Sequence, residues 1–310
     1  MYMQIKKSDG TIENFDEKKL IHALVKAGAK YLVAKEISDY ILDKCDQAGH
    51  GELVKSEYIY HLAFKQLKNI SRRSALKFSL KKAMLELGPS GFPFEEFVAE
   101  MWRAQGYTAI TGQMVFGTCV AHEVDVIAWK ENELVMIEAK YHSDNGSRTD
   151  LKTVLYVKAR YEDIAKQTFT TESFDLKNLV SKSLTDMHTF EQGAQHTPIE
   201  QIKIPQKLTE GWLVTNTHFS DTAITYATCN DLKLMSYDYP DTGSLQDVVM
   251  EYKLFPITCL TTLTSSEKKQ LIDKNIVLCK TLHARSGELE EFGFSKEKIF
   301  TILEEVGSLL

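Results

Sequence analysis

An aspartate, a glutamate and a lysine stand at a spacing that suits metal-dependent chemistry: Asp125, then Glu138 and Lys140 one strand later. Two neighbouring carboxylates repel each other in an apolar surrounding unless a cation lies between them. Oxygen ligands favour Mg²⁺ or Mn²⁺ over zinc, and Mg²⁺ retains waters that can act as nucleophiles. A nearby lysine can orient such a water or stabilise a phosphate under attack. The pattern predicts phosphodiester hydrolysis, with Asp125 and Glu138 as metal ligands.

This prediction depends on a hairpin that brings the two acids together. Two apolar segments flank the polar turn 130–133, and each has the composition of a strand. In a symmetric antiparallel hairpin Trp129 pairs with Leu134, and the same register sets Asp125 opposite Glu138. Directly opposed residues have Cβ atoms about 4.5–5.5 Å apart. The two carboxylates are therefore expected to face each other.

A third acid is expected to reach the same patch from a helix. After Pro93 the apolar positions form an arc on one helix face: Phe94, Phe97, Val98, Met101 and Trp102. Glu95 lies at the edge of this arc, whereas Glu96 and Glu100 are predicted to point away from it. Glu123 shares the strand face of Asp125 because side chains alternate. We therefore expect one small patch to hold the carboxylates of Glu95, Asp125 and Glu138 together with Lys140.

A second interpretation of the same residues remains open. Asp125, Glu138 and Lys140 can also form a ladder of salt bridges on a solvated strand face, which is the common fate of such a pattern. The register match and the upstream Glu95 favour the metal site.

Composition limits the class of protein. The chain has 310 residues with 43% hydrophobic and 26% charged residues and a net charge of −6, typical of a folded globular protein without a uniformly basic surface. Its five cysteines are scattered and form no CxxC pair, so a zinc ribbon is excluded. No apolar run is long enough for a membrane span or a signal peptide. We expect a cytoplasmic protein.

The order of elements predicts an α/β fold in three parts. A short hairpin and helices fill residues 1–90, and a Gly- and Pro-rich stretch, 88–93, marks the first boundary. Residues 91–255 alternate strands with flanking helices around a mixed sheet, interrupted by an insertion at about 167–210 that carries an amphipathic pattern. Residues 256–310 read as helices, with Ser265 or Ser266 and Ser295 as caps. The expected inner elements are helices 56–67, 71–87, 93–105, 150–166 and 220–229, and strands 124–129, 134–141, 212–215 and 232–237.

Four segments of the middle region together resemble the Mrr-like branch of the restriction-endonuclease-like, or PD-(D/E)xK, nucleases: Gly91–Glu95, Arg103–Tyr107, His122–Ala128 and Ile137–His142. The likeness covers about residues 91–250, with Gly211–Asn216 similar to a later core strand. It implies Asp125 and Glu138 as metal ligands, Lys140 as the catalytic lysine and Glu95 as a helix acid that assists metal binding. His122 and Glu123 replace the glycine-rich segment usual before the aspartate.

The first ninety residues resemble an ATP-cone, a nucleotide-sensing module, through Ile5–Gly10, Glu13, Phe15, Lys19–Leu20 and Lys81–Met84. The resemblance implies binding of ATP or dATP, with Lys7, Glu13 and Lys19 at contact positions. Ser8 stands where the family usually has arginine, so one bidentate phosphate contact is missing. From the residues alone, Asp9-Gly10 indicates only a hairpin turn, and no GxxxxGK[ST] loop is present.

Basic residues offer two places for phosphates. The first is a run without acids that carries Lys65, Lys68, Arg72, Arg73, Lys77, Lys81 and Lys82. Around the acidic patch, Asp144 and Asp150 are offset by Arg148, Lys152, Lys158 and Arg160, and the helix spacing of Lys152 and Lys158 allows contacts with a DNA backbone. A solvated helix face is the alternative for the first run.

These features give one leading hypothesis and two rivals. The first is a Mg²⁺-dependent (or Mn²⁺-dependent) DNA endonuclease of restriction or defence, regulated by ATP or dATP and homo-oligomeric by resemblance. The second is a nucleotide-regulated DNA-binding or oligomerisation protein with a silent nuclease fold. The third is a nuclease directed to RNA or to repair.

Overall fold

The structure, a computed structural model, describes residues 3–7, 10–47, 53–88, 91–144, 146–176 and 202–310. An N-terminal part, a central sheet with helices on both faces, and a helical C-terminal part follow one another, which confirms the expected α/β class.

The N-terminal part is a small sheet covered by helices. Its strands, in the order β2-β1-β3, are β1 (Gln4–Lys6), β2 (Ile12–Asn14) and β3 (Leu53–Lys55). β1 and β2 form the expected antiparallel hairpin, whereas β3 lies parallel to β1. The helices are α1 (Glu17–Lys26), α2 (Tyr31–Gln47), α3 (Ser56–Ile70), α4 (Arg72–Phe78) and α5 (Leu80–Leu85). Asp16 caps α1 by accepting from the backbone N–H groups of Lys18 and Lys19.

The central part is built on a five-stranded sheet in the order β10-β8-β6-β5-β4. Its strands are β4 (Thr108–Phe116), β5 (Ala121–Lys130), β6 (Glu133–Lys140), β8 (Glu210–Thr215) and β10 (Lys233–Met235). β4, β5 and β6 run antiparallel, while β6, β8 and β10 are parallel. A two-stranded parallel sheet adds β7 (Arg148–Thr149) and β9 (His218–Phe219). The sheet is thus mixed, as expected.

Helices cover both faces of this sheet and continue to the C-terminal end. They are α6 (Phe92–Ala104), α7 (Leu151–Ala165), α8 (Asp221–Cys229), α9 (Leu245–Tyr252), α10 (Ser265–Asp273), α11 (Cys279–Ala284) and α12 (Lys296–Gly307). One hydrophobic cluster joins α5, α6, one face of the sheet and the C-terminal helices, and a second packs the other face against α7. Within the ranges described, no helix is both long and apolar enough to cross a membrane.

The core does not stop at the expected boundary near residue 90. Leu76, Leu80 and Met84, from the end of the N-terminal part, are buried in the same cluster as Ile137 of β6 and Ile302 of α12. The two boundaries between the three expected domains stay predictions, but the last N-terminal helices pack as part of the central core. The amphipathic helix expected over Leu179, Val180, Leu184 and Met187 lies outside the described residues.

Three local expectations differ from the structure. β4 was not expected, because Gly112, with a φ of +63°, and the polar Gln113 interrupt its apolar pattern. The single helix expected over 71–87 is two helices, since the Ser79 hydroxyl donates to the Leu76 carbonyl at the junction. Thr264, and not a serine, caps α10, because its side chain and that of Glu267 form a reciprocal capping box.

Candidate active site

The β5–β6 hairpin places Asp125 and Glu138 side by side. Trp129 pairs with Leu134 and Ile127 with Met136, which is the register expected from the sequence. At the open end of the ladder Asp125 Oδ2 accepts from the backbone N–H of Ala139 at 2.7 Å. The aspartate is therefore held against the residue that follows Glu138.

Both carboxylates are disfavoured in their charged forms. Burial, together with the charge of Asp125, raises the pKa of Glu138 to about 7. Burial also raises the pKa of Asp125, although the Ala139 N–H and Arg160 oppose the shift. Two acids that resist ionisation side by side are a common feature of functional sites and rarely serve stability alone.

Arg160 of α7 contacts this pair. Its Nη1 donates to Glu138 Oε2 at 2.6 Å, and its guanidinium lies 5.0 Å from the ring centre of Tyr156. The arginine side chain is only 7% exposed. The sequence placed Arg160 among the basic residues that offset Asp144 and Asp150, whereas in the structure it pairs with Glu138. Nothing in the local sequence distinguished it from the other basic residues of α7.

Glu95 approaches the pair from the first turn of α6. Burial, and the charges of Asp125 and Glu123, raise the pKa of Glu95 to about 7. No hydrogen bond from a described residue reaches its carboxylate, so nothing stabilises the ionised form locally. The structure thus brings Glu95, Asp125 and Glu138 within electrostatic reach of one another.

Glu96 does not point away from the core as expected. It is 5% exposed and accepts from Arg103 Nη1 at 2.6 Å, while Arg103 also donates to the Ala109 carbonyl. The expectation failed because α6 is covered on two sides, by the sheet and by the helices beyond it, so its polar face is partly buried as well. This ion pair fixes α6 against β4 and holds Glu95 in place.

Lys140 lies on the strand face of Glu138, and its side chain is exposed. Among the described residues it forms no ion pair, so a salt-bridge ladder of Asp125, Glu138 and Lys140 is not what the structure contains. Glu138 is paired with Arg160 instead. Lys140 is free to meet a ligand.

A groove of about 600 Å³ opens beside Arg160. Tyr156 and Arg160 of α7 line one wall, and the β4–β5 turn with Val120 and His122 lines the other. Asp163 fixes the turn to α7, because it accepts from the backbone N–H groups of Cys119 and Val120 and from the His122 ring. These contacts lower the pKa of Asp163.

The donor set fits a hard divalent cation with an incomplete protein shell. Asp125 Oδ1 and Glu138 Oε1 accept no hydrogen bond from the described residues, so each carboxylate has one oxygen available. In the part of the chain that is described, no three His, Cys, Asp or Glu side chains are grouped to enclose a metal. Mg²⁺ commonly takes one or two carboxylates and completes its shell with water and substrate oxygens.

Three family models match the chain. An ATP cone domain matches residues 3–82, a restriction endonuclease domain of the Mrr catalytic type matches 88–177, and an AF1548-like C-terminal domain matches 255–310. The chain joins an ATP cone to an Mrr-type nuclease domain. Asp125 and Glu138 lie within the residues that the Mrr-type model matches.

Two relatives share most of the chain. A protein of Archaeoglobus fulgidus, named only as an uncharacterized protein, is 26% identical over 214 residues, which cover 69% of this chain and 99% of the relative. The crystal structure of AF1548, titled a protein of unknown function, has a TM-score of 0.50 and 25% identity and covers 71% of this chain and 98% of its own. Both relatives are therefore shorter than this chain.

The segment that follows the residues matched by the ATP cone model is hydrogen-bonded to Tyr141, which directly follows β6. The Tyr141 hydroxyl donates to the Leu85 carbonyl at 2.6 Å and accepts from the Gly88 N–H at 2.9 Å. A Cβ at Gly88 would lie 2.5 Å from the Tyr141 ring, so only glycine fits there. The end of the cone's last helix is thereby tied to the residue after Lys140. The sequence reasoning missed this contact.

A second contact joins the two modules. Lys81 Nζ lies 3.1 Å from His218 Nε2, and His218 Nδ1 lies 3.0 Å from Asp238 Oδ1. Burial lowers the pKa of Lys81, while Asp238 opposes the shift. Lys68, from the same basic run, donates to Thr261 of the C-terminal part. Some of the run thus serves packing between modules.

The expected nucleotide contacts lie on the hairpin and the first helix of the cone. Lys7 Nζ and Glu13 Oε2 form an ion pair of 2.9 Å between the two hairpin strands. Lys19 is exposed in the first turn of α1, beside the Asp16 cap. The structure brings Lys7 and Glu13 together. Among the described residues Lys19 forms no hydrogen bond or ion pair with either side chain, and Ser8 lies outside the described residues.

Proposed function

We propose that this chain is a divalent-metal-dependent DNA endonuclease of a restriction or defence system, regulated by ATP or dATP bound to its ATP cone. The observation that carries the proposal is the half-buried Asp125–Glu138 pair, with the pKa of Glu138 raised to about 7, inside a segment matched by the Mrr-type model. Such a pair is costly without a cation, and a cation between two carboxylates is what phosphodiester hydrolysis employs.

The proposed roles follow from the geometry. Asp125 and Glu138 hold Mg²⁺ or Mn²⁺ through their available oxygens, and the ion supplies charge neutralisation and an activated water. Lys140 contacts the phosphate through its ammonium group, which is exposed and forms no ion pair among the described residues. Glu95, with a pKa near neutral pH, can take up and release a proton there.

Double-stranded DNA is the proposed substrate, and its backbone needs basic contacts near the acids. Arg148 and Lys152 are exposed at the start of α7 and remain candidates for phosphate contacts. Lys158 does not, because its Nζ donates to the Asn230 carbonyl. We place the protein in the cytoplasm, where restriction takes place.

Regulation by nucleotide is supported by the contacts between the modules. A nucleotide at Lys7, Glu13 and Lys19 would act on the cone, and the Tyr141 hydroxyl transmits a shift of the cone's last helix to β6. We propose a homo-oligomer whose assembly responds to ATP or dATP.

The test is cleavage of supercoiled plasmid, methylated and unmethylated, with Mg²⁺ and with or without ATP or dATP. Wild-type protein is expected to nick the plasmid only with metal, and Lys140→Ala is expected to lose the activity. Lys233→Ala removes an exposed lysine of β10 that forms no ion pair among the described residues, and it serves as the matched control. Full activity of Lys140→Ala would refute the assigned site, and cleavage of RNA in place of DNA would change the substrate.

One observation favours a second candidate function. Arg160 already supplies a positive charge to Glu138, so the acids are partly neutralised without any metal. On this reading the chain is a nucleotide-regulated DNA-binding or oligomerisation protein with a silent nuclease fold. It predicts DNA binding that weakens with salt and shifts with ATP, without hydrolysis in Mg²⁺ or Mn²⁺.

A further inference from the structure

The Arg160 side chain is held at the acidic pair by two partners and leaves one donor unused. Nη1 bonds to Glu138 at 2.6 Å and the guanidinium stacks near Tyr156. Its Nε is buried without a hydrogen-bond partner among the described residues. A purely structural arginine at this depth normally satisfies all of its donors, because an unmade bond in a buried place is costly.

Arg160 also occupies the position beside Glu138 that a bound metal ion would need. Among the described residues it is the one side chain that forms an ion pair with Glu138, and Asp125 has none. A divalent ion that binds both carboxylates has to share Glu138 with a guanidinium at hydrogen-bond distance. Two cations on one carboxylate repel each other, so each weakens the binding of the other.

The groove gives the side chain somewhere to move. Arg160 lines the wall of the open groove of about 600 Å³, together with Glu162 and Asp163 of the next turn. Glu162 is 59% exposed at this surface. The guanidinium can therefore leave Glu138 without crossing the packed core.

We propose that Arg160 is a built-in counter-ion: it holds Glu138 in position before metal binds, and the divalent ion must displace it, so that Arg160 sets the metal affinity of the site. This inference rests on the proposed function, because it assumes that Asp125 and Glu138 bind the metal. Arg160 acts through Glu138 and is a positioning residue. Once displaced, its guanidinium faces the groove, where a DNA phosphate is a suitable partner.

The experiment measures binding of Mn²⁺ to the full-length protein by the loss of the free-ion signal in electron paramagnetic resonance, without DNA. The variants are Arg160→Gln, Arg160→Met and Asp125→Asn. Lys158→Gln is the matched control, since it removes one positive charge from the same helix but not from the acidic pair. Circular dichroism checks that each variant is folded.

Arg160→Gln is expected to bind Mn²⁺ about tenfold more tightly than wild type, because a neighbouring arginine shifts the cation affinity of a carboxylate by one or more powers of ten. Lys158→Gln is expected to stay within about twofold of wild type, since its charge is not at the pair. A role in packing alone would give the opposite sign, because loosened acids bind metal less well. Should Arg160→Gln not fold, Arg160→Met carries the test, with tighter binding expected because it removes the positive charge and keeps an apolar side chain of similar length.

Equal or weaker Mn²⁺ affinity in the folded Arg160 variants, with binding still abolished in Asp125→Asn, overturns the inference and leaves the proposed nuclease intact. Binding that Asp125→Asn does not reduce in any background overturns both, because the metal is then not held by the acidic pair.

Discussion

Replacing Glu95 by glutamine should stabilise the metal-free protein at alkaline pH and leave it nearly unchanged at pH 4, below the unfolded pKa. The pKa of Glu95 is raised from 4.5 to about 7 by burial and by the charges of Asp125 and Glu123. The folded protein thus retains a proton that the unfolded chain has already released between these two pH values. Folding is most stable below the unfolded pKa, and this stability is lost as the pH rises towards 7.

The magnitude follows from the size of the shift. One pKa unit corresponds to about 1.4 kcal/mol, so a fully buried group with this shift would cost about 3 kcal/mol at pH 8. Glu95 is half-exposed, and screening by water reduces the cost to about 1–2 kcal/mol. Glutamine has the same shape and carries no charge, so Glu95→Gln recovers that amount above pH 7 and almost nothing at pH 4.

The assay is urea unfolding of wild type and Glu95→Gln at pH 4 and pH 8, with EDTA present. Glu36→Gln is the control, because Glu36 is exposed on α2 and forms no ion pair among the described residues. Its substitution should shift the midpoint equally little at both pH values. A Glu95→Gln variant that is less stable at pH 8, or equally shifted at both values, would refute the reasoning that burial and neighbouring acids destabilise this carboxylate.

Three further predictions concern the contacts that hold the site. Tyr141→Phe removes the hydroxyl that joins Leu85 to the residue after β6, so we expect metal-dependent nicking to persist while its response to ATP or dATP is lost. An unchanged response to nucleotide would exclude the Tyr141 hydroxyl as the connection between the two parts. Tyr31→Phe, at an exposed tyrosine, is the control. Asp163→Asn should lower the melting temperature at pH 7 but not at strongly acid pH, where the wild-type carboxylate is also protonated; calorimetry across pH checks this. Leu80→Ala should cost about 2–5 kcal/mol and lower the unfolding midpoint of the central part, because Leu80 is fully buried in the cluster that joins the last N-terminal helices to the central sheet; an unchanged midpoint in urea unfolding would contradict it.

The acidic hairpin could be predicted from the sequence because its turn leaves little choice of register. The strands end at Lys130 and Glu133, and Glu131 adopts a positive φ of 51°, as a two-residue turn requires. A period of two then fixes the face of Asp125 and of Glu138. The hairpin of the ATP cone followed from its local sequence in the same way.

The rest of the site depends on tertiary packing, which periodicity does not encode. Glu96 looked solvated because one helix face was assigned to the core, whereas α6 is covered on two sides. Arg160 looked like any basic residue of α7 until the helix was docked against β6. The Tyr141 contact joins parts of the chain that are far apart in sequence, so neither partner indicates the other. These long-range contacts position the side chains that surround Asp125 and Glu138.

The central claim is that Asp125 and Glu138 form a metal-dependent site for cleaving DNA, and one comparison tests it directly. Supercoiled plasmid is incubated with wild-type protein or with Asp125→Asn at saturating Mg²⁺, and cleavage and DNA binding are measured in the same samples. We predict that both proteins bind the plasmid and that only the wild type nicks it. Equal nicking by Asp125→Asn, or intact plasmid with bound wild-type protein in both Mg²⁺ and Mn²⁺, would contradict the claim.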